Sequence, residues 1–267
     1  MREVLPEYLQ SISLFKWALN PQLKFSSTTH LPLLTTHFFV VMQTKSTTNV
    51  AVPLSAIVLA GGQSSRMGQD KALLTVEGEP LLRRVCDIAI AFCNPVYVVT
   101  PWPERYQNFL PASCQFIQEV ALEVENTSDV ISSSSKVTSP LPHGPLVGFA
   151  QGLSQVTTDW VLLLACDLPR LRVEVLQNWA AGLGEVESEA IAVLSRHTKG
   201  WEPLCGFYRR SCLPALMEFI NQGGRSFQHW LDQHPVQLLP LPDAEMLFNC
   251  NTQNDFAFLR ENQAESP

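Results

Sequence analysis

From Leu54 onward, short apolar runs alternate with longer amphipathic stretches. LSAIVLA (54–60) is apolar throughout and ends in glycines, the pattern of a parallel strand buried on both faces. PVYVVT (95–100), CQFIQ (114–118), DWVLLLACD (159–167), AIAVLS (190–195), PLCGFYR (203–209) and VQLLPL (236–241) read as further strands. Helices are predicted over PLLRRVCDIAIAF (80–92), GPLVGFAQGLSQV (144–156), LRVEVLQNWAAGL (171–183), CLPALMEFINQGG (212–224), RSFQHWLDQ (225–233) and DFAFLREN (255–262). Pro80 and Pro145 suit first helical turns, and the glycine pair 223–224 suits a helix end. This alternation predicts an α/β fold: one Rossmann-like, three-layer αβα domain over residues 51–264, with a mostly parallel sheet.

Two stretches break the pattern. Residues 121–140 contain SSSS and read as a flexible insertion, because strands resume on both sides. Residues 1–50 carry no acidic residue after Glu7, and 26–48 is rich in Ser and Thr. A targeting peptide, a disordered or partly helical tail, and a start upstream of a true one at Met42 all fit that composition.

Composition narrows the chemistry. A hydrophobic content of 46% supports a sizeable core, and 16% charged residues argue against wholesale disorder. The net charge of −7 offers no electrostatic reason to expect nucleic acid, so an anionic substrate needs a local basic pocket. Seven cysteines with irregular spacing and no CxxC pair predict reduced, mostly buried thiols in a cytoplasmic protein. The apolar run LPLLTTHFFVVM (31–42) falls short of the roughly 20 residues of a membrane span.

The most informative segment is LAGGQSSRMGQDKALL (59–74), directly after a buried strand. Gly61 and Gly62 let backbone N–H groups approach a phosphate, Ser64 and Ser65 add hydroxyls, and Arg66 and Lys71 add positive charge. The spacing matches neither a Walker A loop nor a GxGxxG fingerprint. VLLLACDLP (161–169) ends a second buried strand in Asp167, where a carboxylate can hold Mg²⁺ or cap a helix. In FNCNTQNDF (248–256), Asn249 and Asn251 fall on one side of an extended segment or within an Asx turn.

LAGGxSxRMGxDK is similar to the signature of nucleotidyltransferases acting on sugar phosphates, isoprenoid precursors and molybdopterin. Its AGG form resembles the molybdenum cofactor guanylyltransferases, where the cytidylyltransferases acting on the same pterin read AAG. CDLP resembles that family's CDxP, GPLVG (144–148) its GPLAG, FNCNTQND its FxNxNTPED, and Gly224–Ser226 its G-x-R-S turn. The resemblance covers about residues 54–260. It implies GTP held by Leu59, Ala60, Gly61, Gly62, Ser64, Arg66 and Lys71, with Arg66 and Lys71 on the phosphates. It further implies Mg²⁺ on Asp167, guanine or ribose near Thr100 and Glu119, and a nucleotide pocket along Gly144. Asn249 and Asn251 would lie near acceptor and metal, and Arg225 near the pterin. Thr100 and Glu119 depart from the Asn and Asp usual at those places, and Gln253–Asn254 from Pro–Glu. The implied reaction is GMP transfer from GTP to molybdenum-molybdopterin, with molybdoenzymes or their chaperones as further partners. A molybdopterin cytidylyltransferase, another small-phosphate nucleotidyltransferase and a catalytically inactive GTP-binding regulatory protein are the alternatives.

Overall fold

The structure, a computed structural model, describes residues 52–62, 69–120 and 144–264. The expected extension at 1–50 and insertion at 121–140 lie outside the described residues, as do Ser64 and Arg66.

Strands occupy β1 (Leu54–Leu59), β2 (Thr75–Val76), β3 (Glu79–Pro80), β4 (Val96–Thr100), β5 (Cys114–Gln118), β6 (Trp160–Ala165), β7 (Ala192–His197), β8 (Gly200–Arg209) and β9 (Val236–Leu238). Helices occupy α1 (Leu81–Ile90), α2 (Pro103–Tyr106), α3 (Pro145–Gln155), α4 (Val173–Ala181), α5 (Leu213–Asn221), α6 (Phe227–Leu231) and α7 (Gln253–Ala264). Among the described residues, no helix is long and apolar enough to cross a membrane.

Among the described residues, seven strands form one sheet in the order β5-β4-β1-β6-β8-β7-β9. β1 pairs in parallel with both β4 and β6, β4 with β5, and β7 with β9; β8 runs antiparallel between β6 and β7. The chain therefore winds outward from β1 through β4 to β5, then crosses back to lay β6 on the other side of β1. That reversal leaves a crevice beyond the carboxyl ends of β1 and β6, the place where ligands bind in open α/β sheets.

Alternation along the strands sorts side chains between two cores. Ala56, Val58, Val98, Leu162 and Leu164 meet α1 and α4 on one face. Ile57, Val99, Val161 and Leu163 meet α3, α5 and α6 on the other. Both faces are covered, which is why the strands read as unbroken apolar runs. α3 sits unusually close to the sheet at Gly152. A Cβ there would lie 2.9 Å from Val99 Cγ2 and 3.0 Å from Ile57 Cδ1. Gly152→Ala is expected to overpack this contact by more than the helix propensity gained. Denaturant unfolding should register a net loss of about 1–2 kcal/mol.

The β2–β3 hairpin and α2 were not anticipated by periodicity. The hairpin turn is Glu77–Gly78, with φ of 56° and 83°. Left-handed backbone at both central residues makes a tight hairpin turn, and Glu-Gly is not one of its usual signals. Arg84 braces the turn by donating to Glu77 Oε2 at 2.6 Å and to the Val76 carbonyl at 3.3 Å. A small third core joins the hairpin to the end of the chain through Leu74, Val76, Leu81, Cys250 and Leu259. This cluster brings the 248–252 segment alongside Lys71.

Candidate active site

A cavity of about 220 Å³ opens at the crevice between β1 and β6. Leu59, Ala60, Gly61 and Gly62 line it from the end of β1, and Asp70, Lys71 and Ala72 from the turn that follows. Glu119 enters from the end of β5, Gly144, Pro145 and Gly148 from the start of α3, and Ala165, Cys166 and Asp167 from the end of β6. Leu204, on β8, completes the wall.

Lys71 begins a single 3-10 turn, Lys71–Leu73, capped by Asp70. Its ammonium donates to Asn251 Oδ1 at 2.7 Å and lies 3.7 Å from Asp167 Oδ2. Residues 180 positions apart thus meet at the mouth of the cavity. The Asp167 carbonyl accepts from the Cys250 N–H at 3.0 Å, tying the end of β6 to the asparagine segment. Cys250 is fully buried between exposed Asn249 and Asn251, so both amides project away from the core as an extended segment requires. Thr252 starts α7 in a reciprocal cap: Asp255 N–H donates to Thr252 Oγ1 at 3.1 Å, and the Thr252 N–H donates to Asp255 Oδ2 at 2.7 Å. Asp255 also accepts from the Asn251 N–H at 2.9 Å, which sets the backbone of that asparagine.

Burial raises the carboxyl pKa of Asp167 above its ordinary range, and the Lys71 ammonium only partly restores the ionised form. A carboxylate left incompletely neutralised beside a cation suits a site that receives further positive charge. Cys166, which lines the cavity beside Asp167, has its thiol pKa pushed strongly upward by burial and by the neighbouring carboxylates, so it stays protonated. All seven cysteines are unpaired thiols, and all but the half-buried Cys166 are buried, as the sequence pattern predicts.

Glu119 is 7% exposed and sits between two glycines. A Cβ on Gly61 would come within 2.5 Å of Glu119 Oε2, and one on Gly148 within 3.5 Å of its Cδ. The two glycines therefore make the slot in which this carboxylate reaches the cavity, a close approach that requires their lack of a side chain.

The other expected residues divide. Thr100 does not line the cavity: its buried hydroxyl donates to the Ala60 carbonyl at 3.0 Å and accepts from the Trp102 N–H at 3.2 Å. It holds the glycine segment to β4 and offers no free group to a base. Arg225 donates to the Ile220 carbonyl at 2.7 Å and to the Gly224 carbonyl, so it closes the end of α5. Asp70, Cys166 and Leu204 line the cavity without having been singled out as site residues, although Asp70 and Cys166 lie within the two motifs.

A glycine segment, a lysine and a carboxylate converge at the switch point of the sheet, an arrangement suited to a nucleotide's phosphates, and the class is that of the nucleotidyltransferases. The chain belongs to the MobA-like NTP transferase domain family, whose model matches residues 56–237. It is 60% identical over 207 residues to a Nostoc protein named "Probable molybdenum cofactor guanylyltransferase", covering 78% of this chain and 90% of that protein. A Synechococcus elongatus protein of the same name is 43% identical over 206 residues, covering 77% and 97%. Among solved structures, the molybdopterin-guanine dinucleotide biosynthesis protein A of Archaeoglobus fulgidus shares the fold. Its TM-score is 0.61 at 20% identity, covering 79% of this chain and all of that one.

Proposed function

We propose that this chain transfers the GMP moiety of GTP to the terminal phosphate of molybdenum-bound molybdopterin and releases pyrophosphate. The observation that carries this reading is the 60% identity across 90% of a relative bearing the guanylyltransferase name. The cavity in which Lys71, Asn251 and Asp167 meet supports it.

An oxygen of the acceptor phosphate forms the new bond to the α-phosphorus of GTP, and the bond from that phosphorus to the β-bridging oxygen breaks. Pyrophosphate leaves with the electron pair. The attacking phosphate is already ionised near neutral pH, so positioning and charge neutralisation carry the catalysis. The N–H groups of the Gly61–Gly62 segment cradle phosphate oxygens, and Lys71, with Arg66, neutralises them. Asn251 orients the Lys71 ammonium. Glu119, in its slot between Gly61 and Gly148, takes an edge of the guanine or its ribose, to which a carboxylate offers only acceptors.

The donor set fits Mg²⁺. Asp167 presents one hard oxygen donor at the cavity, and the described residues gather no cluster of three or more His, Cys, Asp or Glu. A cation held by one carboxylate completes its coordination with phosphate oxygens and water, as Mg²⁺ does. Bound there, Mg²⁺ would supply Lewis-acid stabilisation of the charge at the reacting phosphate.

The test is pyrophosphate release with Mg²⁺ and molybdenum-loaded molybdopterin, offering GTP, CTP, ATP and UTP separately. Release with GTP alone is the expected result. Release with CTP alone would reassign the chain to cytidylyl transfer. Folded protein that binds GTP without turnover would instead be a regulatory binder.

A further inference from the structure

Beside Asp167, the Lys71 ammonium has a second potential partner in Asp70, next to it in the chain. That carboxylate lines the same cavity, yet both its oxygens are engaged elsewhere. Oδ1 accepts from the Ala72 N–H at 3.1 Å, which caps the turn carrying Lys71. Oδ2 accepts from the Tyr106 hydroxyl at 2.7 Å. Tyr106 is only 1% exposed and ends α2, the short helix after β4. Burial first, and then the hydrogen bond to Asp70, raise its pKa, so the hydroxyl remains a donor throughout the neutral range. A buried hydroxyl given to an ionised acceptor is a strong, directional hydrogen bond. Here it joins the phosphate-binding turn to a helix residue 36 positions away along the chain.

We infer that Tyr106 is a positioning residue for the nucleotide site: by holding the Asp70 carboxylate, it fixes the turn that aims Lys71 at Asn251 and the cavity. The inference rests on the proposed role of Lys71 as a phosphate ligand. With the tyrosine hydroxyl gone, Asp70 is free to rotate toward the adjacent ammonium. An anionic carboxylate then competes with the triphosphate for Lys71 and adds repulsion at the cavity wall. The consequence is weaker nucleotide binding, not a slower chemical step once GTP is seated.

The test is a thermodynamic cycle on GTP binding by isothermal titration, using the full chain, Tyr106→Phe, Lys71→Met and the double variant. Tyr106→Phe keeps the buried ring and is expected to weaken GTP binding about 10-fold, in the range of one hydrogen bond to a charged group. In the Lys71→Met background the same change should cost less than about 2-fold, because coupled residues are not additive. If Lys71→Met binds too weakly to titrate, Asp70→Asn replaces it as the second variant, with the same expectation. In turnover, KM for GTP should rise with kcat nearly unchanged; a partly misfolded protein would lose kcat and keep KM. Unchanged GTP affinity in Tyr106→Phe, or an equal loss in both backgrounds, would overturn the inference. Failure of the unsubstituted chain to bind or turn over GTP would instead remove the proposed function beneath it.

Discussion

Asp167→Asn is expected to lower kcat by about 10²–10³-fold, the scale on which a single group stabilising transition-state charge is worth, without weakening the fold. The substitution keeps the shape of the side chain at the end of β6 and leaves intact the backbone hydrogen bond from Cys250 to the residue 167 carbonyl. It removes the charge. Because burial raises this carboxyl's pKa in the folded state, the folded protein binds its proton more tightly than the unfolded chain does. Ionised Asp167 therefore opposes folding. That penalty is absent below the unfolded pKa, grows as pH rises above it, and is complete once pH exceeds the folded pKa. Asn escapes it, so Tm measured at pH 7 should stay level or rise, and a comparison at acidic pH should bring the two proteins together. Activity runs the other way: the ionised form is the useful one, so turnover should fall as pH drops through the raised pKa. A variant that loses activity and Tm together would mark Asp167 as a structural residue.

Lys71→Met is expected to raise KM for GTP by about 10- to 100-fold, the range for losing a charged hydrogen-bonding partner. It should also change the pH profile. Lys71 is the main influence that pulls the Asp167 pKa downward against burial, with a backbone hydrogen bond second. Without that ammonium the carboxyl pKa climbs further, and the acidic limb of the kcat profile should move to higher pH. Lys71→Arg keeps the charge but replaces a compact ammonium with a planar fork. It should restore the position of the limb while recovering only part of the affinity, because the 2.7 Å contact with Asn251 is matched to the lysine. A pH profile identical to that of the unsubstituted chain in Lys71→Met would show that the two charges are not coupled.

Much of the cavity lining was legible along the chain because it lies in short segments. The glycines after β1, Lys71, and the aspartate after β6 each follow a buried apolar strand, and such strands end at the rim of a sheet. Glu119, the first residue beyond the half-exposed β5, came from the family resemblance alone; the structure places it in the cavity wall. Thr100 lies outside the cavity lining for a reason of direction. It also ends a strand, but its side chain turns back to the Ala60 carbonyl instead of into the crevice. Arg225, a cation beside a glycine turn, satisfies the carbonyls that end a helix, a structural role the sequence leaves open to it as well. The β2–β3 hairpin escaped notice because its strands have two residues each, too short for an alternation to show.

By itself, the sequence determined the order of the longer strands and helices, their burial on two faces, and the motifs that mark a nucleotidyltransferase. These follow from local causes: periodicity records which sides of an element meet the core, and a motif is contiguous chain. Only the tertiary structure decided that β6 lies beside β1, that β8 runs antiparallel, and that Asn251 reaches Lys71 across the cavity. It alone set Tyr106 against Asp70 and Glu119 between Gly61 and Gly148. Such contacts join segments brought together by crossovers and by packing of remote apolar surfaces. No local pattern encodes which of the many compatible partners a side chain will meet.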